Sequence, residues 1–462
     1  MLQNDTIIAL ATPSGAGAIA VIRLSGPESI VMVDAFFKSI HAKNLVNQKS
    51  HTIHLGNIAE SDRVLDEVLV SVFKNPQSYT GENVIEISCH GSSYIQQEII
   101  QLFVRNGARM ANPGEFTLRA FLNAKLDLSQ AEAVADLIAS ENKASHQIAM
   151  QQMRGGFSNE IKSLRNELLN FASLIELELD FSEEDVEFAD RKQFEELLHR
   201  IIKVLKHLID SFSTGNVIKN GIPISIVGSP NVGKSTLLNA LLNEDKAIVS
   251  DIAGTTRDAI EDEITIEGIK FRFIDTAGIR PTEDTIESIG IKKTFEKITQ
   301  SQVILYLLDA SKVKPETTAV FNNDIRQIQE QYPNKQLIVV ANKMDRSDNR
   351  FIKTSFAYPH VLYTSAKSGD GIASLKTKLL EFVNTGALRN NDTIITNSRH
   401  YDSLLKALSD IQKVQNGMDS QLSGDLLAID IRQALYHFGE ITGEITSDDL
   451  LGNIFANFCI GK

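Results

Sequence analysis

Cysteine is nearly missing from this chain: of 462 residues only Cys89 and Cys459 carry a thiol, and they lie far apart in sequence. That scarcity excludes a disulfide framework and a cysteine-built zinc site, and it fits a reducing compartment. Long apolar runs are also lacking; none approaches the roughly 20 residues that a bilayer-spanning helix needs. The opening Met1-Leu-Gln-Asn-Asp-Thr6 has no basic segment followed by an apolar one, so a cytoplasmic protein without a membrane anchor is expected. Nor is there an excess of basic charge: 46 Lys and Arg stand against 59 Asp and Glu, for a formal net charge of −13. That balance argues against non-specific wrapping of nucleic acid, and any RNA contact must be local.

What is present is an ordinary globular composition with 42% hydrophobic residues, enough for about two to four domains with their own cores. Residues 1–118 read as mixed α/β, with strand patterns at Ile19 to Leu24, Glu67 to Phe73 and Val84 to Ser88 and an amphipathic helix from Ser93 to Asn106. The loop Pro13-Ser-Gly15-Ala-Gly17-Ala precedes its strand instead of following one, so it reads as a turn and not as a dinucleotide fingerprint. Residues 119–214 change to helical periods, with apolar stripes at Ala131, Val134, Leu137 and Ile138 and at Leu164, Leu168, Phe171, Leu174, Ile175 and Leu179. The acidic cluster Asp180 to Glu187 reads as a solvated loop between helices. Strands and helices alternate over 215–383, as a mostly parallel, doubly wound sheet demands. Helical periods return over 384–462, at Ser398 to Asn416 and Leu422 to Phe438, behind a linker Asn384 to Thr396. The expected fold class is thus multidomain, with an N-terminal mixed α/β domain, a helical bundle domain, and a Ras-like α/β domain inserted into the helical one.

Four strings in the inserted segment carry chemistry. Gly228-Ser-Pro-Asn231-Val232-Gly233-Lys234-Ser235-Thr236 follows a strand and opens a helix, so its backbone N–H groups and the helix dipole suit phosphate oxygens. Lys234 supplies a mobile charge for the outer phosphates, and the Ser235 hydroxyl suits Mg²⁺. Asp275, Thr276, Ala277 and Gly278 follow another strand and are placed to sense the third phosphate. In Asn342-Lys343-Met344-Asp345 the Asp345 carboxylate can accept both N–H donors on one edge of guanine, a pair that adenine lacks. Ser365, Ala366 and Lys367 fall where a loop should close over the base. Together the four strings predict binding and hydrolysis of GTP.

Where many small GTPases carry a water-orienting Gln after the third-phosphate string, this chain has Ile279, whose side chain cannot hydrogen-bond water. Arg280, Glu283, Asp284 and Glu287 are either substitutes or a solvated loop. The segment Ser250, Asp251, Ile252, Ala253, Gly254, Thr255 and Thr256 offers hydroxyls and carbonyls to cations, with Thr256 as the Mg²⁺ switch threonine. Asn231 is either loop filler or, through its amide oxygen, a ligand for a monovalent cation beside the phosphates.

Given these strings, the chain resembles, over nearly its whole length, the bacterial tRNA-modification GTPase family MnmE, also called TrmE. The likeness is carried further by Asp5-Thr-Ile-Ile-Ala-Leu-Ala-Thr-Pro13, Tyr79-Thr-Gly-Glu82, Pro113-Gly-Glu-Phe-Thr-Leu-Arg-Ala-Phe-Leu-Asn-Ala-Lys125, Gly254-Thr-Thr-Arg-Asp258 and the terminal Phe458-Cys-Ile-Gly-Lys462. The resemblance implies a homodimer that works with the FAD-dependent protein MnmG to install an aminomethyl or carboxymethylaminomethyl group on the wobble uridine of tRNA. It implies 5-formyltetrahydrofolate or another one-carbon folate at Arg23, Glu86, Lys125 and Lys462. It implies K⁺ at Asn231, Ser250, Ile252 and Thr255, a water-positioning role for Glu287, and Cys459 as a candidate catalytic thiol. A ribosome-assembly switch is the alternative, since such GTPases share the Pro-Asn-Val-Gly-Lys-Ser loop; no basic or aromatic stripe in the sequence favours it.

Overall fold

The computed structural model describes residues 5–180, 190–243, 262–274, 298–299, 301–347, 352, 356, 358, 360–381, 393–456 and 458–461. The apolar opening forms β1 (Ile7–Leu10), followed by β2 (Ile19–Ser25), α1 (Ser29–Phe36), β3 (Phe37–Ser39), β4 (Thr52–Glu60), β5 (Arg63–Phe73), β6 (Val84–His90), α2 (Ser93–Arg105) and β7 (Arg109–Met110). These seven strands make one sheet in the order β3-β4-β5-β6-β2-β1-β7. Alternation sorts the side chains. Ala20, Ile22, Leu24, Ile85, Ile87, Val68 and Val70 point to one face and pack on Ile30 and Val33 of α1 and Ile99, Leu102 and Phe103 of α2. The residues between them, Arg23 and Glu86 included, stand on the other face, where β2 and β6 pair them in register.

Helices follow: α3 (Glu115–Leu122), α4 (Leu128–Ile138), α5 (Lys143–Met153), α6 (Gly156–Asp180) and α7 (Arg191–Asn220). Asp127 starts α4 with a capping box, its carboxylate accepting from the Gln130 amide at 3.0 Å while the Gln130 side chain accepts from the Asp127 amide at 2.9 Å. Phe171 of α6 stacks on Phe194 of α7 with ring centroids 5.1 Å apart. The acidic cluster read as a loop lies, from residue 181 on, outside the described residues.

The next segment supplies β8 (Ile222–Val227), α8 (Lys234–Asn243), β9 (Asp262–Ile266), β10 (Ile269–Phe273), β11 (Val303–Asp309), α9 (Pro315–Gln331), β12 (Gln336–Asn342), β13 (Val361–Tyr363) and α10 (Ile372–Glu381). They form a second sheet in the order β13-β12-β11-β8-β10-β9, parallel except for the β9–β10 hairpin. Every residue of β11 is buried, because Val303, Leu305 and Leu307 enter one core and Tyr306 and Leu308 another. A strand covered on both faces reads as a continuous apolar run. Order reverses at β8, where the chain passes to β10 on one side and β11 on the other, and ligands in such sheets bind at that reversal beyond the carboxyl ends of the strands.

Helices α11 (Ser398–Asp419), α12 (Gly424–Thr442) and α13 (Asp448–Ala456) end the chain. The segment read as a return linker closes on packed residues: Ile394 joins Ala144, Ile148 and Ile218, and the Ile395 amide donates to Ser211 Oγ at 3.1 Å. By contact density there are two compact units. One holds residues 1–139, 149–206 and 402–462, and the other holds 140–148 and 207–401. Among the described residues no helix is long and apolar enough to cross a membrane.

Candidate functional site

The loop between β8 and α8 is shaped by residues that few side chains could replace. Gly228 has φ +157° and a Cβ there would lie 2.1 Å from the Leu307 carbonyl oxygen, so β11 can approach only a glycine. Asn231 is left-handed at φ 62°, a region that Asn tolerates better than most residues, and Gly233 follows at φ +98°. The loop then turns into α8 with Lys234 and Ser235 in its first turn, which leaves the helix N-terminal amides directed into the loop.

The parallel register sets Asp309, the last residue of β11, opposite Asn342, the last of β12. Asn342 is 1% exposed and uses both ends of its amide. Its Nδ2 donates to the Val232 carbonyl of the phosphate loop at 3.0 Å, while its Oδ1 accepts from the Ala366 amide at 3.0 Å and from Thr364 Oγ1 at 3.3 Å. One buried side chain thus ties the phosphate loop to the loop expected over the base. A Cβ at Gly233 would sit 2.5 Å from this Nδ2, which is the reason for glycine there.

Lys343, left-handed at φ 65°, turns its ammonium back: Nζ donates to the Asn231 carbonyl at 2.6 Å and to Asp309 Oδ2 at 2.8 Å. Burial by itself would raise the Asp309 carboxyl, but the hydrogen bonds from Lys343 and Ser311 outweigh it and hold the group below its ordinary range. Asp345 Oδ1 accepts from Ser365 Oγ at 2.8 Å, a bond that lowers its carboxyl and fixes it as an ionised acceptor. The Met344 amide donates to the Thr364 carbonyl at 3.1 Å, closing the two loops on each other. Between them opens a pocket lined by Gly233, Thr236, Asn342, Lys343, Asp345, Arg346, Ala366 and Lys367.

Three of the four strings therefore converge on one pocket at the sheet's reversal point. The remaining expected residues, Ser250, Asp251, Ile252, Ala253, Gly254, Thr255, Thr256, Asp275, Thr276, Ala277, Gly278 and Glu287, lie outside the described residues. Among the described residues no group of three His, Cys, Asp or Glu side chains could hold a metal ion.

A second group gathers on the open face of the N-terminal sheet. Arg23 Nε donates to Glu86 Oε1 at 2.9 Å, its guanidinium lies 5.5 Å from the Tyr79 ring centroid and 5.6 Å from that of Phe116, and its Nη1 donates to the Gly461 carbonyl at 3.3 Å. The C-terminal tail comes within reach of Arg23 because Gly461 has no side chain: at φ +94° a Cβ would lie 2.3 Å from the Leu10 carbonyl oxygen. Cys459 accepts through its carbonyl from the Gly114 amide at 3.3 Å and leaves its side chain exposed. Lys125 Nζ donates to the Pro76 carbonyl at 3.1 Å, and Lys462 lies outside the described residues.

Sequence reasoning missed what Asp5, Glu82, Glu115 and Arg119 do together. Arg119, 1% exposed, reaches Asp5 Oδ1 at 2.6 Å, Glu82 Oε2 at 3.1 Å and Glu115 Oε1 at 3.2 Å, and Arg109 bonds Asp5 and Glu115 at 2.6 and 2.5 Å. This ion network, with Arg119 buried at its centre, ties the residues just before β1 and β6 to β7 and α3. Asp309 was missed as well, although an acidic residue closing an apolar strand beside Asn342 is a readable signal.

Comparison with known sequences agrees with this arrangement. The profile described as the MnmE helical domain matches residues 128–459, and the one described as the GTP-binding protein TrmE N-terminus matches residues 6–125. The chain is 68% identical to the tRNA modification GTPase MnmE of Flavobacterium johnsoniae and 66% identical to that of Christiangramia forsetii, in each case over 100% of both chains. It is 56% identical to the protein of the same name from Cytophaga hutchinsonii, over 100% of this chain and 98% of the relative. Among solved structures, the G domain of the T. maritima FeoB iron transporter is 22% identical, covering 35% of this chain and 97% of that one with a TM-score of 0.24. On the full-length identities and the two domain matches, the chain belongs to the MnmE (TrmE) family of tRNA modification GTPases.

Proposed function

We propose that this chain hydrolyses GTP in residues 215–383 and uses the resulting change to drive modification of the tRNA wobble uridine, with an FAD-dependent protein of the MnmG kind as its partner. The observation that carries the nucleotide half is the Asn342 amide spanning the phosphate loop and the loop at Ala366. A nucleotide seated there would meet the loop amides with its phosphates and the Asp345 carboxylate with its base.

Lys234 would hold the outer phosphates, and the Ser235 hydroxyl, with Thr256 and through water Asp275, would hold Mg²⁺. The oxygen donors of Asn231, Ser250, Ile252 and Thr255 suit K⁺, which when bound supplies fixed positive charge where other GTPases place an arginine finger. Glu287 would orient the attacking water that Ile279 cannot. The test is a split: Glu287→Ala should slow hydrolysis by about 100-fold or more while leaving GTP affinity nearly intact, and unchanged turnover would remove Glu287 from this role. Hydrolysis should also run faster in K⁺ than in Na⁺ at equal ionic strength; equal rates would sink the cation site.

Residues 1–118 would bind a one-carbon folate and pair two copies of the chain. The guanidinium, carboxylate and two aromatic rings at Arg23, Glu86, Tyr79 and Phe116 suit a flat heteroaromatic ring with a glutamate tail, and Lys125 and Lys462 would add positive charge. The exposed thiol of Cys459 is the candidate nucleophile near that group, and intact modification by Cys459→Ser would remove it. The deciding experiment for the whole reading is nucleoside mass spectrometry of bulk tRNA from cells lacking the chain. Loss of the modified wobble uridine, restored by the intact protein but not by Lys234→Ala, is expected; an unchanged profile would overturn the tRNA assignment.

A further inference from the structure

Helix α12 buries one side against its own bundle, through Leu427, Ala428, Ile431, Ala434, Leu435 and Phe438, yet its opposite side is not polar. Leu426 is 46% exposed, Ile429 56% and Tyr436 44%. With Gln433 these residues step by three, four and three, the spacing of a coiled-coil seam with one polar position. An apolar seam of this regularity on solvent marks an interaction surface.

Its charges say what partner fits. At 100° per residue Asp425 and Arg432 fall on the same flank of the seam, on opposite sides of Ile429 along the axis. Place a second α12 antiparallel to the first, with the two-fold axis passing at Ile429. Flanks are then preserved while axial positions invert, so Asp425 of each copy meets Arg432 of the other to within about one residue's rise of 1.5 Å. By the same operation Leu426 meets Gln433 to within the same rise and Ile429 meets itself. Arg432 already engages Glu176 Oε1 through Nε at 3.1 Å and Nη2 at 2.7 Å, but a guanidinium has five donors and that contact uses two. We infer that α12 is a self-complementary interface, and that its partner is the α12 of a second copy, packed antiparallel about Ile429. A single helix pair buries less than a free-standing interface needs, so the contact is expected to form within an assembly that other surfaces also hold. To that extent it rests on the homodimer reading above.

Single cysteines introduced in the full chain with Cys459→Ser test it, read by oxidative cross-linking, after sedimentation velocity of the parent chain. Ile429→Cys should form a covalent dimer at least tenfold faster than Val320→Cys, an exposed control on α9. Leu426→Cys alone should not cross-link, whereas a mixture of Leu426→Cys and Gln433→Cys should. Asp425→Arg in the Ile429→Cys background should slow cross-linking about tenfold, and adding Arg432→Asp should restore it. A parent chain that sediments as a monomer at every concentration would overturn both the homodimer and this contact. An associated parent whose Ile429→Cys variant cross-links no faster than the control would overturn the α12 contact alone, and Leu426→Cys cross-linking to itself would overturn the antiparallel arrangement.

Discussion

Asn342 holds the Val232 carbonyl 3.0 Å from its Nδ2 and the Ala366 amide 3.0 Å from its Oδ1, so two loops 110 and 24 residues away in sequence are fixed by one buried amide. Replacing it with Asp keeps the size but turns the donor into an acceptor facing a carbonyl. Asn342→Asp should weaken guanine-nucleotide binding by at least about 100-fold, as expected for an unsatisfied and charged buried group. Titration with a fluorescent GDP analogue measures this, and a change below about threefold would show that the bridge is incidental to the pocket.

Asp345 accepts from the Ser365 hydroxyl at 2.8 Å, a bond that would hold it for the base choice proposed above. Guanine offers two N–H donors on the edge that this carboxylate would meet. Xanthine offers one donor and one carbonyl, a pattern that a primary amide matches. Asp345→Asn should therefore lose GTP affinity by at least about 100-fold and gain affinity for xanthosine triphosphate. Competition between the two nucleotides decides it, and an unchanged preference for GTP would place the base elsewhere.

Arg119 is the buried hub of the N-terminal ion network, and removing one partner from such a network strands the others. Arg119→Met should destabilise the N-terminal unit by about 3–5 kcal/mol. Hydrogen exchange at residues 5–10 and 109–122 reports this locally. Burial pushes the Asp5 and Glu115 carboxyls up, but Arg109 and Arg119 outweigh it and leave both below their ordinary values of 3.8 and 4.5. Groups with depressed folded values contribute stability above the unfolded values, and that contribution is lost as pH falls through the folded ones. Protection of these segments should hold from neutral pH to about 5 and then collapse toward about pH 3, more steeply than in Arg119→Met.

How much of this was readable depended on sequence distance. The phosphate loop, Asn342 to Asp345 and Ser365 to Lys367 are short runs whose chemistry is local, and strand–loop–helix order placed them together. Arg109 and Arg119 were opaque because their partner Asp5 lies 104 and 114 residues away, and only the fold brings the three together. Boundaries shifted for a related reason. β5 starts at Arg63, not Glu67, because the turn at Ser61, φ 56°, lets it pair with the whole of β4, a contact that residue preference alone does not reveal. Of the β9–β10 hairpin only β10 is legible as the strand before Asp275; β9 was missed, although the Glu267-Gly268 turn, with φ 49° and 81°, is its readable signal.

The two thiols should behave as opposites. Cys89 lies on β6 in the N-terminal core, and burial first, then the nearby Asp66 carboxylate, push its thiol up to about 11. A thiol with a raised value stays protonated, and so unreactive, until pH approaches that value. Cys459 is exposed. Native protein at about pH 8 should therefore take up one equivalent of a thiol reagent at Cys459, and the second only on denaturation. Cys459→Ser should abolish the native reaction altogether. Rapid native labelling of Cys89 would mean that the core under β6 opens far more often than its packing against α2 implies.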